Sequence, residues 1–326
     1  MPPRVAFLGV AHWHAPIYAG ILKTLGIPVV GASDLDATDG AAAAARLGLP
    51  FDTDAGAMLA ATKADFVFVT PRHDRVMPTL APALDLRLPL LIEKPMGLDG
   101  AQARTAARAI EAAGVWATAA LPLRHNMIWS HVARLRAAGT LGTVMHAHFR
   151  IINGPPRRYP DWGVGWMLEP DKSGGGALRN LGIHGADAFL GLAGPDVEVR
   201  AAATGHHAYG LKVEEFATAL LQAPGGPACT IEAGYSYAAG GGDLEWRVAT
   251  TGAYFLETAT ELTIRHADGQ LETHATPKIP IQQPMVEAAF TDSAAGRVPA
   301  CPVGECAEAV ALCDRIYEAV SAVSRG

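Results

Sequence analysis

Two stretches of the sequence hold residues able to bind and move a proton. The first is Leu90-Leu91-Ile92-Glu93-Lys94-Pro95-Met96-Gly97, a short apolar run that ends on an acid, a base and a proline. The run has the texture of a buried parallel strand, and polar groups at the carboxyl end of such a strand face the crevice where open α/β sheets bind ligands. A lysine held there and partly desolvated has its pKa drawn down toward a range useful in proton transfer. Pro95 fixes the backbone just after it, and a cis Lys94–Pro95 bond is expected. The second stretch is Ser173-Gly174-Gly175-Gly176-Ala177-Leu178-Arg179-Asn180-Leu181-Gly182-Ile183-His184-Gly185-Ala186-Asp187. Three glycines suit a loop that lies flat against a cofactor. Asn180, His184 and Asp187 recur at i, i+4 and i+7, along one face of a helix. A histidine flanked by polar groups one turn away on each side is costly to bury without purpose, so His184 reads as functional.

A third site opens the chain. Gly9-x-Ala11-x-x-His14 stands where a dinucleotide-binding fold carries GxGxxG, with His14 departing from the glycine of the third position. Gly9 allows the sharp turn, Ala11 is small enough for a pyrophosphate to approach, and the following helix start attracts phosphate. Asp34 ends the second strand, where a carboxylate accepts ribose hydroxyls and repels a 2′-phosphate. With no Arg or Lys at position 35, NAD is expected over NADP. His12 with His14, and His146 with His148 on one strand face, could each suggest a metal. Neither pair has a third ligand at recognisable spacing, so both read as polar packing and no metal is expected.

The elements that position these residues alternate. Strand-like runs at Arg4–Val10, Val29–Ser33, Ala64–Val69, 88–92 and Val115–Ala120 are separated by helical patterns ending near Gly26 and at 39–47, 76–86 and 99–113. That is the signature of a parallel sheet with right-handed crossovers. After residue 120 the texture changes. A helix at 126–138, a strand at Thr143–Ile152, an irregular stretch at 154–176 and a helix at 178–192 precede strand-rich sequence from about 197 to 274. Helices at 284–296 and 304–324 close the chain. The fold class expected is α/β plus α+β: a Rossmann doubly wound sheet over 1–120, then a domain over 121–326 built on a large, mostly antiparallel sheet. Alternating apolar residues in runs such as 213–221 leave a sheet face to be covered, so a homodimer or homotetramer through that sheet is expected.

Glu93-Lys94-Pro95 together with the GGGALxNxGxHxxD stretch resembles the Gfo/Idh/MocA family of nicotinamide-dependent oxidoreductases, and the domain order fits along essentially the whole chain. The resemblance implies that Lys94 contacts substrate and nicotinamide ribose, that His184 is the acid/base, and that Thr70-Pro71 is a nucleotide-contacting turn. It also implies that the final helix returns to the first domain. Candidate cofactor-binding residues are Gly9, Ala11, His12, Trp13, His14, Asp34, Thr70, Pro71, Arg72, Glu93 and Lys94. The candidate catalytic set is Lys94, His184 and Asn180. Arg124, Tyr159, Trp162 and Trp166 are candidates for the substrate wall, beside Lys94, Asn180 and His184, or equally anchors of their loops. Asn180 stands where polyol dehydrogenases of the family carry Asp, and Trp166-Met167 where relatives often have Trp-Arg.

The reaction expected is hydride transfer between a nicotinamide and a secondary alcohol or ketone of a sugar-like substrate. Two alternatives share these residues: an NAD enzyme that oxidises and re-reduces its substrate during glycoside cleavage or elimination, and a non-catalytic NAD-binding sensor. A net charge of −6 over 326 residues gives no basic footprint for nucleic acid. No apolar run approaches the roughly 20 residues that span a bilayer, and the sequence opens directly on a strand, so a cytoplasmic location is expected. Cys229, Cys301, Cys306 and Cys313 lack CxxC spacing and read as reduced structural thiols.

Overall fold

Unbroken apolar runs form the first sheet because both of its faces are covered. In the computed structural model, which describes residues 2–323, β1 (Val5–Leu8), β2 (Val29–Ser33), β3 (Phe66–Val69), β4 (Leu90–Ile92) and β5 (Ala117–Ala119) pair in parallel in the order β2-β1-β3-β4-β5. Every residue of β1, β3, β4 and β5 is buried, as expected of strands packed on both sides. The crossovers carry α1 (Ala15–Thr24), α2 (Ala37–Leu47), α3 (Ala55–Thr62), α4 (Val76–Asp85) and α5 (Gly100–Ala113). Helix α2 starts ahead of its expected position because the Asp36 carboxylate accepts from the Thr38 and Asp39 amides. Helix α3 was not expected: its run Ala-Gly-Ala-Met-Leu-Ala-Ala-Thr has little periodicity, and its clearest start signal is the cap from Asp54 to the Ala57 amide. The chain leaves β1 toward β2 on one side and reaches β3 on the other, so a crevice opens above the carboxyl ends of β1 and β3.

The second sheet has eight strands: β6 (Val144–Asn153), β7 (Glu198–Gly205), β8 (Phe216–Gln222), β9 (Ala228–Gly234), β10 (Gly242–Thr250), β11 (Ala253–Thr258), β12 (Glu261–His266) and β13 (Leu271–Ala275). Their order is β13-β12-β11-β10-β6-β9-β8-β7, antiparallel except for the β6–β9 pair. One face is covered by α6 (Met127–Ala137) and by a π turn at Leu178–Gly182 that runs into α9 (Ile183–Ala193); two short turns, α7 (Arg158–Asp161) and α8 (Pro170–Ser173), lie in the irregular stretch. The alternation in β8 sends Ala217, Ala219 and Leu221 to this covered face. The apolar set that suggested an uncovered sheet face is therefore inside, and Thr218 and Leu220 point outward.

The last two helices, α10 (Gln283–Ala294) and α11 (Val303–Val323), return toward the first sheet. Phe290 of α10 meets Phe66 edge to face with centroids 4.9 Å apart, and α11 packs against both α5 and α9. Among the described residues no helix is long and apolar enough to cross a membrane. The four cysteines are free and buried.

Candidate active site

Thr70 ties the turn after β3 to the turn after β1. Its amide donates to Leu8 O at 2.7 Å and its hydroxyl to Gly9 O at 2.7 Å. The approach is so close that a Cβ on Gly9 would stand 2.4 Å from Thr70 O, and Gly9 has φ +83°, where side chains are strained. Above this junction runs a groove lined by Gly9, Ala11, His12, Asp34, Thr70, Pro71, Arg72 and Trp166. Asp34 is fixed at the groove by amides from Ala11 to Oδ2, 3.0 Å, and from Asp36 to Oδ1, 2.9 Å. Arg72 is paired with Asp74 at 2.6 and 2.8 Å, so its charge is already matched.

His12 tests whether this groove fits a dinucleotide. Its ring stacks on Trp13, centroids 3.8 Å apart, and is 3% exposed. The His14 amide donates to His12 Nδ1 at 3.2 Å, which leaves the ring proton on Nε2, and that atom is buried with no partner among the described residues. Burial holds the pKa of His12 well below its usual value, so the ring is a neutral donor. A buried N–H without an acceptor costs about 1–3 kcal/mol, and a phosphate oxygen lying in the groove would satisfy it. The chain thus offers a side-chain donor at a turn that has lost two of its three glycines.

Bordered by Trp13, Ile17 and Trp162 lies a cavity of about 410 Å³. Lys94 reaches it from the end of β4 and His184 from the first turn of α9, so both side chains line one space. Lys94 is 3% exposed. Its Nζ donates to Asn180 O at 2.8 Å and to Asn180 Oδ1 at 2.7 Å, which commits two of three N–H bonds. Burial brings its pKa down to about 8, against the opposing pull of Glu93. Asn180 Nδ2 in turn donates to the hydroxyls of Tyr159, 2.6 Å, and Tyr235, 3.2 Å. Asn180, a candidate catalytic and substrate-contacting residue, holds the lysine through its amide. The π turn at Leu178–Gly182 presents both acceptors of Asn180, main chain and side chain, to Lys94. His184 is buried, with Nδ1 unpartnered among the described residues. Burial first, and the Lys94 cation second, hold its pKa well below the usual value.

Beside Lys94 sits a buried anion. Glu93 Oε1 accepts from His14 Nδ1 at 2.7 Å and from the Tyr18 hydroxyl. Burial favours the neutral acid, but His14, His12 and Lys94 together hold Glu93 well below the usual carboxylate range. His14 and Trp13 therefore face the cavity shared by Lys94 and His184 rather than the groove. The Lys94–Pro95 bond is cis.

Three residues depart from their expected places. Arg124 does not line the cavity: it forms a bidentate pair with Asp187, 2.5 and 2.8 Å, and reaches Glu305 at 2.6 Å on the far side of α9. Asp187 is drawn to that pair and does not line the cavity with His184, while the π turn at Leu178–Gly182 separates Asn180 from the regular helix that carries both of them. Trp166 packs at the groove against His73 and Trp13, whereas Tyr159 and Trp162 line the cavity. The three-glycine loop touches the chain itself rather than the groove or cavity: a Cβ on Gly176 would stand 2.1 Å from Glu214 O. Glu214 was not singled out in the sequence. Its buried carboxylate accepts from the amides of Gly176 and Leu178, 2.8 and 2.9 Å, and from the Tyr317 hydroxyl at 2.7 Å, pinning the turn that carries Asn180. Tyr18, also missed, was legible as the residue four after His14, on the same face of α1.

With this geometry in hand, comparison with known proteins is specific. Residues 129–255 match the family model described as GFO/IDH/MocA C-terminal domain. No curated protein matches the chain. Among solved structures, an oxidoreductase from Agrobacterium radiobacter in complex with NAD+, L-tartaric acid and magnesium superposes with a TM-score of 0.83 at 18% identity, covering 98% of this chain and 97% of that one. A levoglucosan dehydrogenase in complex with NADH and levoglucosan gives 0.83 at 14% identity, covering 99% and 98%. An aldose-aldose oxidoreductase from Caulobacter crescentus complexed with glycerol gives 0.80 at 17% identity, covering 99% and 98%. Identities this low establish a shared fold across the whole chain.

Proposed function

We propose that the chain, whose residues 129–255 match the GFO/IDH/MocA C-terminal domain, is a member of that family and an NAD-dependent dehydrogenase acting on a secondary alcohol, or its ketone, in a sugar, polyol or related small molecule. The observation that carries this reading is the meeting of Lys94, at the end of a strand of the first sheet, and His184, on the helix covering the second, in one cavity beside the groove above β1 and β3. The similar structures support it, being complexes with NAD+ or NADH, levoglucosan or glycerol. Gly9, Ala11, His12, Asp34 and Thr70 would hold the cofactor, and the paired state of Arg72 together with the Asp34 carboxylate favours NAD over NADP. When bound, the nicotinamide accepts or returns the hydride.

The chain's own residues handle the oxygen. His184, neutral because burial and Lys94 depress its pKa, takes the hydroxyl proton. The remaining N–H of Lys94 donates to the same oxygen and stabilises the charge that develops there. Asn180 aims the ammonium and the two tyrosines aim Asn180. Tyr159 and Trp162 supply apolar faces suited to a sugar ring. A panel of sugars and polyols with NAD, read by the absorbance of reduced nicotinamide, tests the reading: turnover with at least one member is expected, and none with any member overturns it. A homo-oligomer through the outer face of the eight-stranded sheet belongs to the same proposal. It is supported by Leu220 and Tyr254, which stand 40% and 41% exposed on that face.

A further inference from the structure

The proposed chemistry leaves the substrate's proton on His184, which is poorly placed to keep it. That imidazole is buried, lies near the Lys94 cation and, among the described residues, has no carboxylate hydrogen-bonded to Nδ1. Lys94 cannot take the proton while it is itself protonated. Other titratable groups lining the cavity are occupied. Glu257 spends its carboxylate on the amides of Met127 and Ile128, at 3.1 and 3.0 Å, capping α6. Asp243 pairs with Arg150 at 2.6 Å, and the Tyr159 hydroxyl accepts from Asn180 and from Arg158.

His14 differs from all of these. It lines the same cavity, and its side chain is 17% exposed, whereas the Glu93 side chain that it meets is 1% exposed. Nδ1 donates to Glu93 Oε1 at 2.7 Å, so Nε2 carries the lone pair. The Tyr18 hydroxyl holds the same carboxylate oxygen from one turn farther along α1. A buried carboxylate behind an imidazole fixes its tautomer and stabilises the imidazolium. The groups facing His14 are Glu93 and Lys94 from the end of β4, Tyr18 on α1 and His12 from the same turn, with His184 across the cavity. His12, His14 and Glu93 also bring ligand-type atoms within 4.8 Å of one another. His14 Nδ1 and the Tyr18 hydroxyl both donate to Oε1, and the His12 proton lies on Nε2, so donors rather than lone pairs meet here, with Oε2 buried and unpartnered among the described residues.

We propose that His14, backed by Glu93 and Tyr18, is a second acid–base group of this cavity and carries the substrate's proton out to solvent. This rests on the dehydrogenase reading. In the oxidising direction the carbinol O–H bond breaks and His184 takes the proton. The proton then crosses by a substrate hydroxyl or a water to His14 Nε2, while Glu93 keeps its negative charge. The His14 imidazolium finally releases the proton to water at the mouth, and the reverse reaction runs the same path inward. No oxidant or reductant beyond the nicotinamide is involved in this step.

The test has one readout independent of turnover and two that need it. In the NAD-bound protein labelled with 15N at histidine, NMR should show a strongly downfield Nδ1–H proton that disappears in both His14→Gln and Glu93→Gln. In single turnovers His14→Ala should slow nicotinamide reduction by about 100-fold, with NAD affinity retained and the rate restored by added imidazole. Glu93→Gln removes the carboxylate that His14 Nδ1 donates to, so its single-turnover rate should fall as in His14→Ala, with NAD affinity retained. The proposal is overturned if the downfield proton is missing, if His14→Ala turns over within about threefold of wild type, or if its loss is not rescued by imidazole. A wild-type protein that shows the downfield proton yet reduces no NAD with any polyol contradicts the dehydrogenase reading, and the proton path with it. Active wild type with an unchanged single-turnover rate in Glu93→Gln removes the path alone.

Discussion

In the proposed mechanism Lys94 and His184 divide one task by charge. Burial lowers both pKa values but leaves them on opposite sides of neutrality: Lys94 near 8 keeps its proton at pH 7, and His184 has already lost its own. Substituting either by Ala should lower kcat by roughly 10²–10⁴-fold, the usual weight of a positioned acid or base, while NAD binding measured by fluorescence titration stays nearly unchanged. Near-wild-type turnover in either variant would refute its role. The rate should also fall as pH rises through about 8, because the ammonium that stabilises the oxyanion is then lost. Asn180→Asp places an anion against that ammonium and should move this basic limb upward, since an opposite charge favours the protonated lysine. A limb that stays in place would show that Lys94 is not the group titrating. Both residues were legible in the sequence because each ends a strand or opens a helix within a dense polar motif. The destination of Asp187 was not legible, because its partner Arg124 lies 63 residues away and residue spacing within the helix says nothing of it.

At the scale of elements, two junctions hold the site. The β1 and β3 turns are locked by Thr70 against Gly9, and Gly9→Ala would add both a clash and a strained φ. Its expected cost is about 1–3 kcal/mol, seen as a lower urea midpoint together with weakened NAD binding. The Asn180 turn is locked by Glu214, which links the three-glycine loop to Tyr317 of α11. Glu214→Ala leaves two buried amides and a hydroxyl without their acceptor, for an expected loss of about 3 kcal/mol. A change below about 0.5 kcal/mol, typical of surface sites, would remove Glu214 from this role. The strands of the first sheet were legible because burial on both faces leaves continuous apolar runs. Helix α3 and the Glu214 clamp were not: the first lacks periodicity, and the second is one glutamate in a polar pair whose partners lie far along the chain.

For the whole molecule, the final helix ties the two sheets together. Arg179, beside Asn180, reaches Val310 O at 2.9 Å and Asp314 on α11, and Arg104 of α5 meets Glu308 at 2.8 Å. The return of this helix was legible only through family resemblance, since its own pattern says amphipathic helix and nothing about its neighbour. The outer sheet face combines ion pairs such as Arg150–Asp243 with exposed Leu220 and Tyr254. Light scattering after size exclusion at micromolar concentration should give a dimer or tetramer, and a monomer there would count against association through this face.

The sharpest test is a crystal structure with NADH and a bound polyol that the enzyme oxidises. It should place Lys94 Nζ and a ring nitrogen of His184 within about 3.2 Å of the same substrate oxygen, with the nicotinamide ring against that carbon. A ligand whose reactive oxygen touches only one of the two, or a nicotinamide lodged outside this cavity, would contradict the account.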